Sequence, residues 1–335
     1  MSGHNLPYRL RPNKFIDRSV FIDLLSRLVP AKGADKYIYI SMGGNHLVDQ
    51  NVVYRRVGID SLFSFDFSER VVCRQMFNKP IDSAKCLEMD SGSLPGKIDE
   101  IAADFPHATN LVIWLDFTDP NKRLSQLQQL VEVAKRIQPG DVLRITMNAK
   151  IDTLDEHGSN SAWKEAGYSG PSAYRAERLR LQLGQFLPAE IEAVGEQDFP
   201  SVLCKCVELA LSKAAGERNK PADFVPILLI TYRDGQRMMT ATALCCDAEE
   251  RRETVGLEGW PFMPADWSDV SKIVAPDLSI REKLKIDERL SASATDIADW
   301  LGFDLEDSPA KSEEAIESYK RFHRYYPAFH HIDAM

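Results

Sequence analysis

The stretch "YIYISMGGNHLVDQNVVYRRVGIDSLFSFD", Tyr37 to Asp66, sets two adjacent glycines after one apolar run and an aspartate after the next. Later apolar runs also close on aspartates, Asp90 in "LEMDSGSL" and Asp116 in "WLDFTDP". Gly43 and Gly44 carry no Cβ, so a ligand can approach the backbone there. Many nucleotide-binding α/β domains begin in this way, with their ligand at the carboxyl ends of the strands. A lone Gly-Gly pair also serves tight turns for structural reasons alone. The three aspartates at successive strand ends tip the joint reading toward a pocket for an adenosine-type ligand.

The elements that must position these residues can be read from periodicity. "NKFIDRSVFIDLLSRLV" has helical spacing ended by Pro30, and "KGADKYIYISMGG" runs from a turn into a strand. "HLVDQNVVYRRVG" is expected as a helix closing at Gly58, with Asp49 inside it and "SLFSFDFS" as the next strand. "SERVVCRQMFN", "GKIDEIAADFP" and "NKRLSQLQQLVEVAKRIQ" read as helices alternating with strands at "AKCLEMDSG", "NLVIWLDFTDP" and "VLRITMNA". Five strands alternating with helices indicate a parallel sheet covered on both faces. "PILLITYRDGQRMMTATALCC" reads as two strands joined through an Asp-Gly hairpin turn. Between these parts lie a polar loop, "IDTLDEHGSNSAWKEAGYSGPS", and helices at "AYRAERLRLQLGQFLPAEI" and "FPSVLCKCVELALSKAAGERN".

The order of elements from Asp35 to Cys246 resembles the class I S-adenosylmethionine-dependent methyltransferase family, with O-methyltransferase-like members. The expected fold class is therefore α/β: a Rossmann-like parallel sheet with a terminal antiparallel hairpin strand, plus a helical C-terminal extension. The resemblance implies S-adenosylmethionine as cofactor, with Gly43 and Gly44 as a reduced form of the family's glycine loop. It implies that Asp66 accepts from the ribose hydroxyls, that Asp90 and Ser91 lie beside the adenine, and that Asp116 and Thr118 face the methyl group and acceptor. Asp116 is the catalytic candidate, as a base or an orienting group. Asp119, beside Pro120, is expected to cap the next helix. "DFTDP" is not the Asn/Asp-Pro-Pro-aromatic signature of base-flipping members, which disfavours DNA adenine or cytosine as acceptor.

Further residues are candidates for contact with substrate. Arg11 and Lys14 lie in the basic "YRLRPNKFIDR", where a cation can meet an anionic part of a ligand. His46 follows the glycines, and Tyr174, Arg175 and Arg178 lie in "YSGPSAYRAERLR". No pair of His with a carboxylate has metal-ligand spacing, so no metal is expected. The six cysteines form no CxxC pair and read as free thiols of a reducing cytoplasm.

The chain of 335 residues divides, on this reading, into an N-terminal arm at 1–34, a methyltransferase-like domain at 35–250 with an insertion at 151–222, and a helical region at 251–335. No apolar run reaches membrane-spanning length and no secretory h-region opens the chain, so a cytoplasmic protein without a membrane partner is expected. The net charge of −9 opposes phosphate backbones. The C-terminal helices include "SATDIADWLGF", with helix-turn-helix spacing, and "SYKRFHRYYPAF", which interleaves basic and aromatic residues. Their many carboxylates disfavour nucleic acid and favour a helical cap that packs on the catalytic domain, or an interface for an oligomer or a partner protein. The expected function is methyl transfer to an oxygen or nitrogen of a small-molecule or protein acceptor. The alternatives are a methyltransferase-like ligand-binding or complex subunit, and a nucleic-acid methyltransferase that reads through its tail.

Overall fold

The computed structural model describes residues 11–155, 161–247 and 257–327. Its central feature is an eight-stranded sheet of order β3-β2-β1-β4-β5-β7-β6-β8. The strands are β1 (Tyr37–Ser41), β2 (Ser61–Asp66), β3 (Lys85–Glu88), β4 (Asn110–Asp116), β5 (Val142–Asn148), β6 (Asp223–Asp234), β7 (Gln236–Cys246) and a two-residue β8 (Ser271–Lys272). The first five run parallel, and β7 joins β5 antiparallel. The Rossmann-like sheet and its antiparallel hairpin are thus as the sequence predicts; β8 is an addition. Gly235, at φ +92°, makes the Asp-Gly turn of the hairpin.

The helices are α1 (Pro12–Leu28), α2 (Val48–Val52), α3 (Glu69–Phe77), α4 (Leu94–Ala103), α5 (Arg123–Ala134), α6 (Ala162–Glu165), α7 (Pro171–Leu183), α8 (Phe199–Gly216), α9 (Ile280–Asp287), α10 (Ala294–Leu301) and α11 (Pro309–Phe322). One expectation is corrected here. The helix read over His46–Gly58 begins only at Val48, lasts five residues as α2, and widens into a π-turn at Val53–Val57 before Gly58 ends it at φ +84°. Valines at 48, 52, 53 and 57 crowd this stretch with β-branched side chains that weaken a regular α-helix.

The chain forms two compact units. The larger comprises Ile22–Leu229 with Met238–Ser271; the described residues of the smaller fall at 11–21, Ile230–Arg237 and 272–327. In the larger unit the two faces of the sheet differ, because successive side chains alternate sides. One face is apolar: Ile38, Ile40, Ile113, Leu143 and Ile145 pack in one cluster with Ile98 of α4, Leu130 of α5, Leu179 of α7 and Val207 of α8. The other carries a buried polar row. Ser64, Ser41, Trp114, Arg144 and Thr242 are register partners across five neighbouring strands. The fully buried Arg144 donates to Thr242 Oγ1 at 2.7 Å and stacks 4.7 Å from the Trp114 ring centroid. In the smaller unit, Ile286, Ile297, Ile316 and Tyr319 form a core between α9, α10 and α11. Asp234 there accepts the first backbone N–H groups of α1, from Asn13 and Lys14.

The edge opposite the strands' carboxyl ends is fixed by Asp141. Its Oδ1 accepts from Leu111 N–H at 2.8 Å and Asn110 Nδ2 at 2.9 Å, and its Oδ2 from Gln138 N–H at 2.8 Å. Burial pushes this carboxyl up from 3.8 to about 6, with the three N–H donors acting against the shift. A raised folded-state value means that its linked stability is fully present below about 3.8 and is lost as pH rises through about 6. Over that window wild type should lose about 3 kcal/mol relative to Asp141→Asn, at about 1.4 kcal/mol per pH unit. Urea denaturation of both proteins from pH 4 to 7.5 measures it; parallel stability curves would contradict the assignment.

Candidate functional site

Strand register brings the predicted residues to one edge. Ser41 of β1 pairs with Ser64 of β2 on one side and Trp114 of β4 on the other. Two residues further along each strand, Asp66 and Asp116 therefore flank the start of the glycine turn. At ~4.8 Å per strand, their backbones lie about 10 Å apart, on either side of the strand that leads into Gly43. Asp116 pairs in turn with Thr146 of β5.

The turn has a conformation only glycine tolerates readily. Gly43 and Gly44 lie at φ +56° and +55°, and Leu47 follows at +46°. Gly44 N–H closes a three-residue turn on Met42 O at 2.6 Å. A Cβ on Gly43 would stand 2.5 Å from Leu47 Cδ2 and 3.3 Å from Ser64 Cβ. Side chains in and just after α3 grip the turn: Gln75 Nε2 donates to Met42 O at 3.2 Å and Asn78 Nδ2, from the C-cap, to Asn45 O at 2.8 Å. Beneath it, Tyr39 donates to Asp49 Oδ2 at 2.9 Å, with both side chains buried.

Asp66 is half-buried, and its Oδ1 accepts Ser68 N–H at 2.9 Å. Burial raises its pKa, and the Ser68 N–H offsets part of that rise. Asp90 is exposed and accepts Gly92 N–H at 2.8 Å, capping the turn that holds half-buried Ser91. Asp116 is half-buried at the end of β4, with Thr118 exposed beyond it. Asp119 accepts Asn121 N–H at 2.9 Å, the capping role expected from sequence. A glycine turn beside a half-buried carboxylate, with a second carboxylate on the strand at its other side, fits an adenosine ligand carrying a diol.

The remaining candidates are more dispersed. His46 is exposed in the glycine loop. Tyr174 is buried on α7, edge-on to Tyr168 at 5.5 Å. Arg175 makes two bonds to Asp155, at 2.9 and 2.7 Å, which raise its pKa first through those bonds. Arg11 and Lys14 belong to the smaller unit, where Lys14 is buried.

Sequence reasoning missed Gln75, Ser64, Asn78 and Arg123. The available signal for Gln75 was a carboxamide one turn from Val72 on the buried stripe of α3. Arg123 is fully buried and donates to Asn148 O at 2.9 and 3.1 Å, Thr153 Oγ1 at 2.7 Å and Gln182 Oε1 at 3.1 Å. It ties the end of β5, the segment after it and α7 to the start of α5. Burial lowers its pKa to about 10, so it stays charged at neutral pH.

A family model described as "Putative O-methyltransferase" matches residues 6–334. The chain belongs to that family, whose members are class I methyltransferases that use S-adenosylmethionine, and it is an enzyme of that kind. No curated protein matches it in sequence. Among solved structures it is similar to the N-methyltransferase NodS from Bradyrhizobium japonicum WM9, at 13% identity and TM-score 0.36, over 71% of this chain and 100% of that one. It is also similar to an rRNA methylase from Streptococcus thermophilus, at 12% and 0.36, over 68% and 96%. An O-methyltransferase family protein from Burkholderia thailandensis matches at 11% and 0.33, over 69% and 56%. Likenesses at these scores add nothing to the topology described above. No helix among the described residues is long and apolar enough to cross a membrane.

Gly43 gives a direct check on the turn. Gly43→Ala should destabilise the protein by about 1–2 kcal/mol from its left-handed φ alone, and further through the Leu47 contact. Gly96→Ala, in α4 with open space around the new methyl, should instead stabilise by about 0.5–1 kcal/mol. Urea denaturation of the two variants distinguishes them; equal effects would contradict the turn geometry.

Proposed function

We propose that the chain transfers the methyl group of S-adenosylmethionine to an oxygen acceptor, with the glycine turn and strand-end carboxylates of the larger unit as its cofactor and acceptor site. One observation carries the reading: the register that sets Asp66 and Asp116 on either side of Gly43. The family description favours oxygen over nitrogen as the acceptor atom.

In this reading Gly43 and Gly44 admit the cofactor against the backbone, where a side chain would exclude it. Asp66 holds the two ribose hydroxyls, one on each carboxylate oxygen, in charge-assisted bonds. Asp90 and Ser91 flank the adenine. The bound cofactor supplies an electrophilic methyl on a sulfonium. Asp116 takes the proton of the acceptor hydroxyl at its carboxylate and so raises the nucleophilicity of that oxygen. Thr118 orients the acceptor, and much of the rate enhancement comes from holding the reacting atoms in line. Among the other candidates, His46, exposed in the glycine loop, would act in acceptor selection. The division into an arm at 1–34, a catalytic domain at 35–250 and a helical region at 251–335 is proposed as the functional organisation. The six free thiols suit a reducing, cytoplasmic setting.

The test is calorimetric titration of the protein with S-adenosylhomocysteine. Asp66→Ala removes two hydrogen bonds to a charged acceptor, each worth about 1.5–3 kcal/mol, so affinity should fall by about 100-fold or more. Unchanged affinity in a folded Asp66→Ala protein would remove Asp66 from the site.

A further inference from the structure

The glycine turn is shorter in glycines than the family pattern, yet something must fix the direction of its peptide groups. We propose that Gln75, assisted by Asn78, is the positioning residue of the cofactor loop, orienting the Met42–Gly43 and Asn45–His46 peptides so that the N–H groups of Gly43 and His46 face the ligand. The inference deepens the cofactor reading above and rests on it.

Three observations support it. Gln75 and Asn78 stand one turn apart near the end of α3, and each donates to a carbonyl on one shoulder of the glycine pair, Met42 O and Asn45 O. Gln75 is fully buried, and its own carbonyl oxygen is taken by Ser64 Oγ of β2 at 3.0 Å. Strand, helix and turn are therefore joined through one side chain whose donor and acceptor are both engaged. Finally, a Cβ on Gly43 would stand 3.5 Å from Gln75 Nε2, so the turn is seated directly on the carboxamide.

The consequence follows from peptide geometry. In a planar trans peptide the C=O and the next N–H point in opposite directions. Holding Met42 O and Asn45 O toward α3 turns the N–H groups of Gly43 and His46 away from it. Donors fixed in advance toward a ligand lose no freedom when it binds. Gln75 thus acts through the backbone and touches no ligand itself. A side chain that served only to fill the core would leave affinity unchanged once the protein is folded.

Full-length wild type, Gln75→Ala and Leu130→Ala would be titrated with S-adenosylhomocysteine at a temperature where circular dichroism finds all three folded. Leu130 is a buried α5 residue of the apolar cluster, so its truncation costs stability away from the loop. Gln75→Ala should bind about tenfold or more weakly, as expected for loss of a positioned bond, while Leu130→Ala keeps wild-type affinity. In nitrogen-15 spectra the Gly43 and Gly44 amides should shift in Gln75→Ala only. If Gln75→Ala does not fold, the half-exposed Asn78→Ala carries the test, with a severalfold loss. Gln75→Ala, or in its place Asn78→Ala, binding as tightly as wild type would overturn the proposal, as would an equal loss in Leu130→Ala. Wild type that binds no S-adenosylhomocysteine would instead overturn the cofactor reading, and this inference with it.

Discussion

The fixed parallel register of β2, β1 and β4 is the constraint on which the site depends. Side chains alternate faces with a period of two, so a one-residue slip of any strand would exchange its entire set of faces. Here a slip would drive polar side chains into the cluster built around Ile38, Ile40 and Ile113. It would also take Arg144, a fully buried cation, from Thr242 and from the face of Trp114. A buried charge without partners costs several kcal/mol. The register that satisfies both faces also brings Ser41, Ser64 and Trp114 level, and so sets the glycine turn between two aspartates.

The two faces of the sheet then divide the work. The apolar face packs α4, α5, α7 and α8 into one continuous cluster, whose burial stabilises the larger unit. The polar face supplies directionality, because hydrogen bonds fix the orientation of groups that apolar contacts leave free. Beside the glycine turn that role falls to Ser64, Gln75 and Met42 O. On the apolar side, Arg123 of α5 gives the same directionality at the end of β5, gathering Asn148 O, Thr153 and Gln182 around a guanidinium with neutral acceptors. Both are long side chains rooted in helices, and both reach backbone carbonyls at strand ends. The carboxyl edge is thus hydrogen-bonded on either side of the proposed ligand site.

Much of this was legible in the sequence. Apolar runs ending in glycine or aspartate identified β1, β2 and β4, because a strand buried on both faces has a nearly continuous apolar signature. The hairpin was legible because Asp-Gly supplies a left-handed turn residue, Gly235. Asp119 was assigned to capping from its proline neighbour, and it caps. The regular helix after the glycines was not found, because four valines compete with the helical pattern in a way periodicity does not weigh. The polar clamps were illegible for a different reason. Gln75, Ser64 and Arg123 resemble surface residues by type, and only tertiary burial gives them partners. Tyr174 and Arg175 looked available from sequence, whereas one packs against Tyr168 and the other is bonded to Asp155.

The proposed site lies across the carboxyl edge, with a methyl-donor cofactor over Gly43 and between Asp66 and Asp116. A crystal structure of the protein with S-adenosylhomocysteine tests it most directly. The ribose hydroxyls should lie within hydrogen-bond distance of both Asp66 carboxylate oxygens, with the adenosine seated over the glycine turn. Electron density for the ligand elsewhere, for example in the cleft of about 420 Å³ lined by Gln129, Phe186 and Lys213, would contradict it.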